Sequence, residues 1–266
     1  MVKQGRDPRT ELVEAGARVL AEEGPGALSA RSLARAAGTS TMAVYTHFGG
    51  MPAVVRAIIH EGFARLAAEL ARVPATDDAV ADCAALALAY RRAAHRAPHL
   101  YRVMFGAAGV EQSGEDRAIG AYTLRVARDS IARCIESGRF RAAEPWELTR
   151  QSWCLVHGLV SLELAGFYPG RPAAEGPDGE GRSGEGRSGE GQSGEGAGAE
   201  RPGAERPDGA GAGRAAGYAD LRRFLVGFAV GAGDRLDRAE ASVGRAFRES
   251  EVQQLDGDGD DVARGE

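Results

Sequence analysis

The residues able to carry catalytic or metal chemistry are few and scattered. The five histidines are His47, His60, His95, His99 and His157. His95 and His99 have the i, i+4 spacing of a metal pair, yet Pro98 interrupts the helix between them and no Glu follows His95. Cys83, Cys134 and Cys154 lack the paired spacing of a zinc site or a disulfide framework, and their apolar helical contexts predict buried thiols. Glu22-Glu23 is an isolated acid pair, and no nucleophile–base arrangement is visible. Neither an enzyme nor a metal or cofactor is expected. Another chemistry has better support. Hydroxyls crowd one short stretch at Ser29, Ser32, Thr39, Ser40, Thr41, Tyr45 and Thr46. Between Gly24 and His60 the only formal charges are Arg31, Arg35 and Arg56, with no carboxylate. Hydroxyls and guanidinium groups without competing acids suit a phosphate backbone. A helical hairpin with an ordinary solvated face would show the same periodicity.

Two short helices would have to position those groups. Ser29 is placed to cap a first helix with Leu33, Ala34 and Ala37 on its apolar side, and Gly38 falls where the turn needs positive φ. Ser40 caps a second helix through Met42, Ala43 and Val44 that ends near His47. Helix, tight Gly-containing turn, helix is the layout that lays its second helix in a DNA major groove, and both helix N-termini favour phosphate.

The segment Ala37–Gly50, Ala-Gly-Thr-Ser-Thr-Met-Ala-Val-Tyr-Thr-His-Phe-Gly-Gly, resembles the recognition segment of the tetracycline-repressor (TetR) family. The likeness spans about Arg9 to Phe63. It departs at the start of the fourth helix, where the family usually has a phosphate-touching Lys and this chain has Met51. Trp153 followed by His157-Gly158 is similar to the Trp-His-Gly signature of one class of C-terminal ligand domain in that family.

The resemblance implies a homodimeric transcriptional regulator, most simply a repressor, on a near-palindromic double-stranded operator. Thr41 and Met42 would face base edges, while Ser29, Arg31, Thr39, Ser40, Tyr45 and His47 would hold phosphates. An unidentified, largely apolar small molecule in the C-terminal bundle would tilt the fourth helix and release the DNA. Tyr90, Met104, Phe105, Tyr122, Trp153 and His157 are candidates for its pocket wall, and each fits a plain core position equally well. A helical DNA-binding protein without an effector and a helical enzyme are the alternative readings.

Charge distribution agrees with a nucleic-acid partner despite a net charge of −5. Seven acids against Arg264 lie between Glu249 and Glu266, and nine acids against six arginines between Gly170 and Gly217, leaving +4 on the remainder. The N-terminus has no apolar leader and no run approaches a membrane span, so a cytoplasmic protein with no membrane partner is expected.

Periodicity predicts an all-α chain: an N-terminal three-helix helix-turn-helix domain, then a helical-bundle ligand-binding and dimerisation domain. The first occupies 1–50, with a fourth helix at 51–72 as connector, and the second 73–248. Asp7-Pro8 should open the first helix. Further helices are expected over Asp77–Arg96, Arg117–Ser137, Pro145 to about Phe167, and Tyr218–Arg238. A Gly/Glu/Arg-rich repeat at 170–217 reads as a disordered insert, and its formal Gly-x-Gly-x-x-Gly at Gly179–Gly184 has no strand before it. The 249–266 tail reads as acidic and disordered. Asp256-x-Asp258-x-Asp260 does not make a calcium loop, because Asp261 replaces the required Gly.

Overall fold

Residues 7–106, 109, 111, 113–167 and 209–262 are described by the computed structural model, with Tyr122 and residues 209–212 and 253–262 described in backbone alone. Every regular element among them is a helix. The N-terminal unit comprises α1 (Pro8–Glu23), a 3-10 turn (Pro25–Ala27), α2 (Ala30–Ala36) and α3 (Thr41–Phe48). The connector α4 (Met51–Ala71) leads to α5 (Ala79–Arg96), α6 (Pro98–Met104), α7 (Gly114–Thr123), α8 (Arg125–Glu136) and α9 (Pro145–Leu164). After residue 208 come α10 (Gly209–Gly231) and α11 (Leu236–Val262).

Local chemistry explains most boundaries. Asp7 stands before α1, but its carboxylate accepts from the Thr10 hydroxyl (3.3 Å) instead of a backbone N–H. Ser29 and Ser32 form a reciprocal capping box on α2. Gly38 (φ 64°) turns the chain between α2 and α3 in the left-handed region that a side chain would resist.

Four sequence expectations need correction. Arg117–Ser137 is two helices. Thr123 Oγ1 donates to the Ile119 carbonyl (3.1 Å), and this back-bonding accompanies the break at Leu124. Tyr218–Arg238 is also not one helix, because α10 stops at Gly231. There Gly233 has φ 115°, and buried Arg139 grips Asp234 through Nε and Nη2 (2.9 and 2.6 Å). The same α10 starts at Gly209, inside the stretch read as insert, and Gly217 lets it lie against the Glu163 side chain. Finally, the backbone of the expected acidic tail is helical as far as Val262. Buried Val243, Ala246 and Phe247 hold α11 on the body of the protein, and a held helix propagates at the cost of one residue per hydrogen bond. The repeat units within 168–208 lie outside the described residues.

One hydrophobic cluster runs from the N-terminal unit into the bundle, through Leu12, Val44, Ile58, Phe63, Tyr101 and Val160 to Leu221 and Phe247. A second, smaller cluster joins α5, α8, α9 and the α10–α11 corner around Val80, Cys134, Leu148 and Ala232. The N-terminal unit therefore shares a packed interior with the bundle beside it. Of the thiols, Cys134 is buried and Cys83 half-buried, with their Sγ atoms 3.6 Å apart. Cys154 is exposed, contrary to the expectation of a buried thiol, because it sits on the outward side of α9.

Candidate nucleic-acid interface and effector site

The α2–α3 hairpin presents all eight residues expected to meet DNA. Ser29, Arg31, Thr39, Ser40, Thr41, Met42, Tyr45 and His47 are exposed, whereas Leu33, Ala34 and Val44 point inward against α1 and α4. Met42 is 71% and Tyr45 52% exposed, and, three residues apart, they are neighbours on one face of α3. Arg35 and Arg56 are exposed on the same carboxylate-free stretch. Two hydroxyls have a local task as well: Ser29 Oγ accepts from Ser32 N (3.1 Å) and Ser40 Oγ from Ala43 N (3.2 Å). The Ser40 O–H stays free to rotate toward an acceptor, whereas the Ser29 hydroxyl also meets Ser32 Oγ at 3.0 Å. Met51, standing where a Lys would touch phosphate, packs half-buried against the core.

The expected pocket residues also converge. Tyr90, Met104, Phe105, Trp153 and His157 meet between α5, α6 and α9, and Tyr122 belongs by backbone to α7, its side chain lying outside the described residues. At the centre, His157 Nδ1 lies 2.9 Å from Tyr90 Oη and 2.7 Å from Tyr101 Oη, with the two hydroxyls 3.2 Å apart. Burial lowers the His157 pKa and so favours the neutral ring; with the proton on Nε2, Nδ1 accepts from one of the two phenols. The shorter contact assigns that donor to Tyr101, leaving Tyr90 to donate to the Tyr101 oxygen. Burial, then the neighbouring phenol, raises the Tyr90 pKa far above its ordinary value. Phe105 (4.5 Å between centroids) and Trp153 (5.3 Å) flank the imidazole. Tyr101 was not foreseen as part of this cluster. Its spacing of eleven residues from Tyr90 crosses the Pro98 break, so no helical period links them.

Two contacts tie this cluster to α4, and a third joins α7 to the same helix. Phe105 packs edge-on to Phe63 (5.7 Å), Gly62 lies so close to Met104 that a Cβ would overlap it, and His60 Nε2 meets Asp116 Oδ1 at 3.1 Å. His95 and His99, the nominal metal pair, go separate ways: His95 to Glu163 (2.9 Å) and His99 to Glu22 (3.7 Å).

Residues 12–58 match the model of the tetR family of bacterial regulatory proteins, and residues 83–178 match the tetracyclin repressor-like C-terminal domain. A protein of unknown function from Rhodococcus sp. RHA1 is similar in structure, at 26% identity over 63% of this chain and 88% of its own, with a TM-score of 0.52. The TetR family transcriptional regulator PfmR from Thermus thermophilus shares the fold at 22% identity, covering 56% and 84% of the two chains with a TM-score of 0.50. So does AibR in complex with isovaleryl coenzyme A and operator DNA, at 15% identity, 60% and 86% coverage and a TM-score of 0.50. None of the curated proteins matches the chain. With its helix-turn-helix and its C-terminal domain both matched, and an all-helical fold around them, the chain belongs to the tetR family of bacterial regulatory proteins.

Proposed function

We propose that the protein is a cytoplasmic, homodimeric repressor that binds a near-palindromic operator and leaves it when a small, largely apolar effector enters the Tyr90–Trp153–His157 region. The observation that carries this reading is the exposed, carboxylate-free face of α2 and α3. Thr41 and Met42, at the start of α3, take the base edges, and Ser29, Arg31, Thr39, Ser40, Tyr45 and His47 take phosphates. Among the described residues no helix is long and apolar enough to cross a membrane.

Dimerisation is supported by the outer side of α9 and α10. Leu162, Phe224 and Val230 are exposed there, and Gly158 and Gly227 have open space beside them. A second copy seated on this face would place two α3 helices about 35 Å apart, one turn of DNA. On this reading the Trp153, His157 and Gly158 signature would put the ligand domain in the Trp-His-Gly class.

Release follows from the contacts with α4. An effector displacing Phe105 or Met104 pushes on Phe63 and Gly62, and so on the helix that carries the DNA-reading unit. A differential affinity of about 5.5 kcal/mol between the two arrangements would reverse the population from bound to released. AibR, described with both isovaleryl coenzyme A and operator DNA, lends support in kind to such a coupling. Thermal-shift measurements against a panel of apolar and cationic compounds, repeated as displacement of labelled upstream DNA, test it. A compound that raises the midpoint and displaces DNA supports the reading; a panel that does neither leaves an effector-free DNA-binding protein as the better description.

A further inference from the structure

On the other side of α5 from Tyr90, the ends of α4, α5, α10 and α11 enclose a groove of about 1220 Å³. With 3.6 residues per turn, Arg92, His95 and Arg96 face away from Tyr90, so this groove is separate from the aromatic cluster. Its walls carry six arginines: Arg72, Arg91, Arg92, Arg96, Arg214 and Arg245. The acids that line it do not balance them locally. Glu69 is shared between Arg72 (2.7 Å) and Arg96 (3.2 Å), and Asp82 is taken by Arg133 (2.7 Å). Glu249 and Glu251 are exposed at its rim. Arg91 is satisfied by a bidentate pair with Glu163, and Arg245 reaches Asp78 at 3.6 Å.

Arg92 differs from its neighbours. It is half-buried, yet among the described residues its guanidinium has no carboxylate partner, only the Ser250 hydroxyl at 2.9 Å. Burial, followed by the like charge of Arg96, lowers its pKa, whereas a paired arginine such as Arg139 is raised. A half-buried cation without an anion is costly, and a groove of this size beside it leaves room for one. Arg214 stands exposed across the opening, with no ion pair among the described residues, while the Tyr218 hydroxyl on the wall is taken by the Phe247 carbonyl (3.3 Å). Two guanidinium groups without an ion pair among the described residues, and the Ser250 hydroxyl, are a donor set for a phosphate dianion.

We infer that this groove binds a phosphorylated small molecule, with the phosphate seated on Arg92 and reached by Arg214 and Ser250. The groove is not a stretch of the DNA interface, because α4, 21 residues long, spans about 30 Å between the α2–α3 hairpin and the Glu69 end. The inference stands apart from the operator and effector reading, since binding is measured on the protein without DNA.

Calorimetric titration of the full chain with inorganic pyrophosphate, at ionic strength held constant with sodium chloride, tests it. Saturable binding and a raised melting midpoint are expected. Arg92→Gln should weaken binding about tenfold or more, and Arg214→Gln less. Arg223→Gln, which removes the same charge from the exposed face of α10 outside the groove, should change nothing. Without ligand, Arg92→Gln should melt no lower than wild type, because an uncompensated cation has been removed; a purely structural Arg92 would give the opposite. Absence of saturable binding overturns the inference, as does an equal loss in Arg92→Gln and Arg223→Gln. Should Arg92→Gln not fold, the comparison of Arg214→Gln with Arg223→Gln decides by the same rule.

Discussion

On the proposed reading, single side chains on α2 and α3 divide into those that hold the DNA and those that read it, and the two kinds fail differently. Arg31→Ala should weaken every duplex and reduce the slope of log K against log salt by about 0.9, because one fewer counterion is released. Tyr45→Ala should cost about 1.5 kcal/mol on all sequences alike while leaving that slope unchanged, since a phenol carries no charge. Thr41→Ala should instead change the sequence preference at one position of each half-site. Fluorescence anisotropy across a salt series separates the three. Inside the bundle, His157 gives a signed pH effect. Its folded pKa lies below the ordinary 6.5, so below that value the unfolded chain binds more protons and folding stability falls as pH drops toward the folded pKa. Melting midpoints of wild type should therefore decline on acidification more steeply than those of His157→Gln. Both sets of residues were legible in the sequence for different reasons. The α3 residues stood out by their spacing and by the missing acids. The pairing of Tyr90 with Tyr101 was hidden, because the partners lie on two helices separated by a proline.

Helices were read most faithfully where their ends carry their own chemistry. The Ser29 box, the Ser40 cap and the Gly38 turn are local, so sequence alone located α2 and α3. Ser40→Ala should accordingly lower stability by about 1 kcal/mol without moving the fold, measurable by denaturant unfolding. Boundaries set by distant partners were misread. The stop after Gly231 combines a local signal, Gly233 at φ 115°, with Arg139 reaching Asp234 from another part of the chain. Likewise α11 hides behind small residues: Ala239, Ser242, Val243, Ala246, Phe247 and Ser250 form its buried side at helical spacing, with Phe247 the one large member. Its importance lies in covering α5, the helix that carries Tyr90 on one side and Arg92 on the other. Phe247→Ala should cost about 3–5 kcal/mol, as expected for emptying a ring-sized space in a shared core.

At the scale of the whole molecule, the continuous core from Leu12 to Phe247 makes the N-terminal unit and the bundle mechanically one body, with α4 as the element through which either can bias the other. The proposed function at this scale also needs a second copy. Paired substitutions Leu162→Glu and Phe224→Glu on the outer side of α9 and α10 should yield a folded monomer in light scattering. Operator affinity should then fall steeply, since two half-sites can no longer be held together. Overall charge misleads here: the chain is net acidic, yet the surface offered to DNA contains no carboxylate. The most direct measurement is a titration of purified wild-type protein into labelled duplex from its own upstream region at low ionic strength. Saturation at two chains per site, with affinity that falls as salt rises and is lost in the Arg31→Ala, Tyr45→Ala double variant, is the predicted result. Unchanged affinity in that double variant, or no binding to upstream duplex at low salt, would contradict the account.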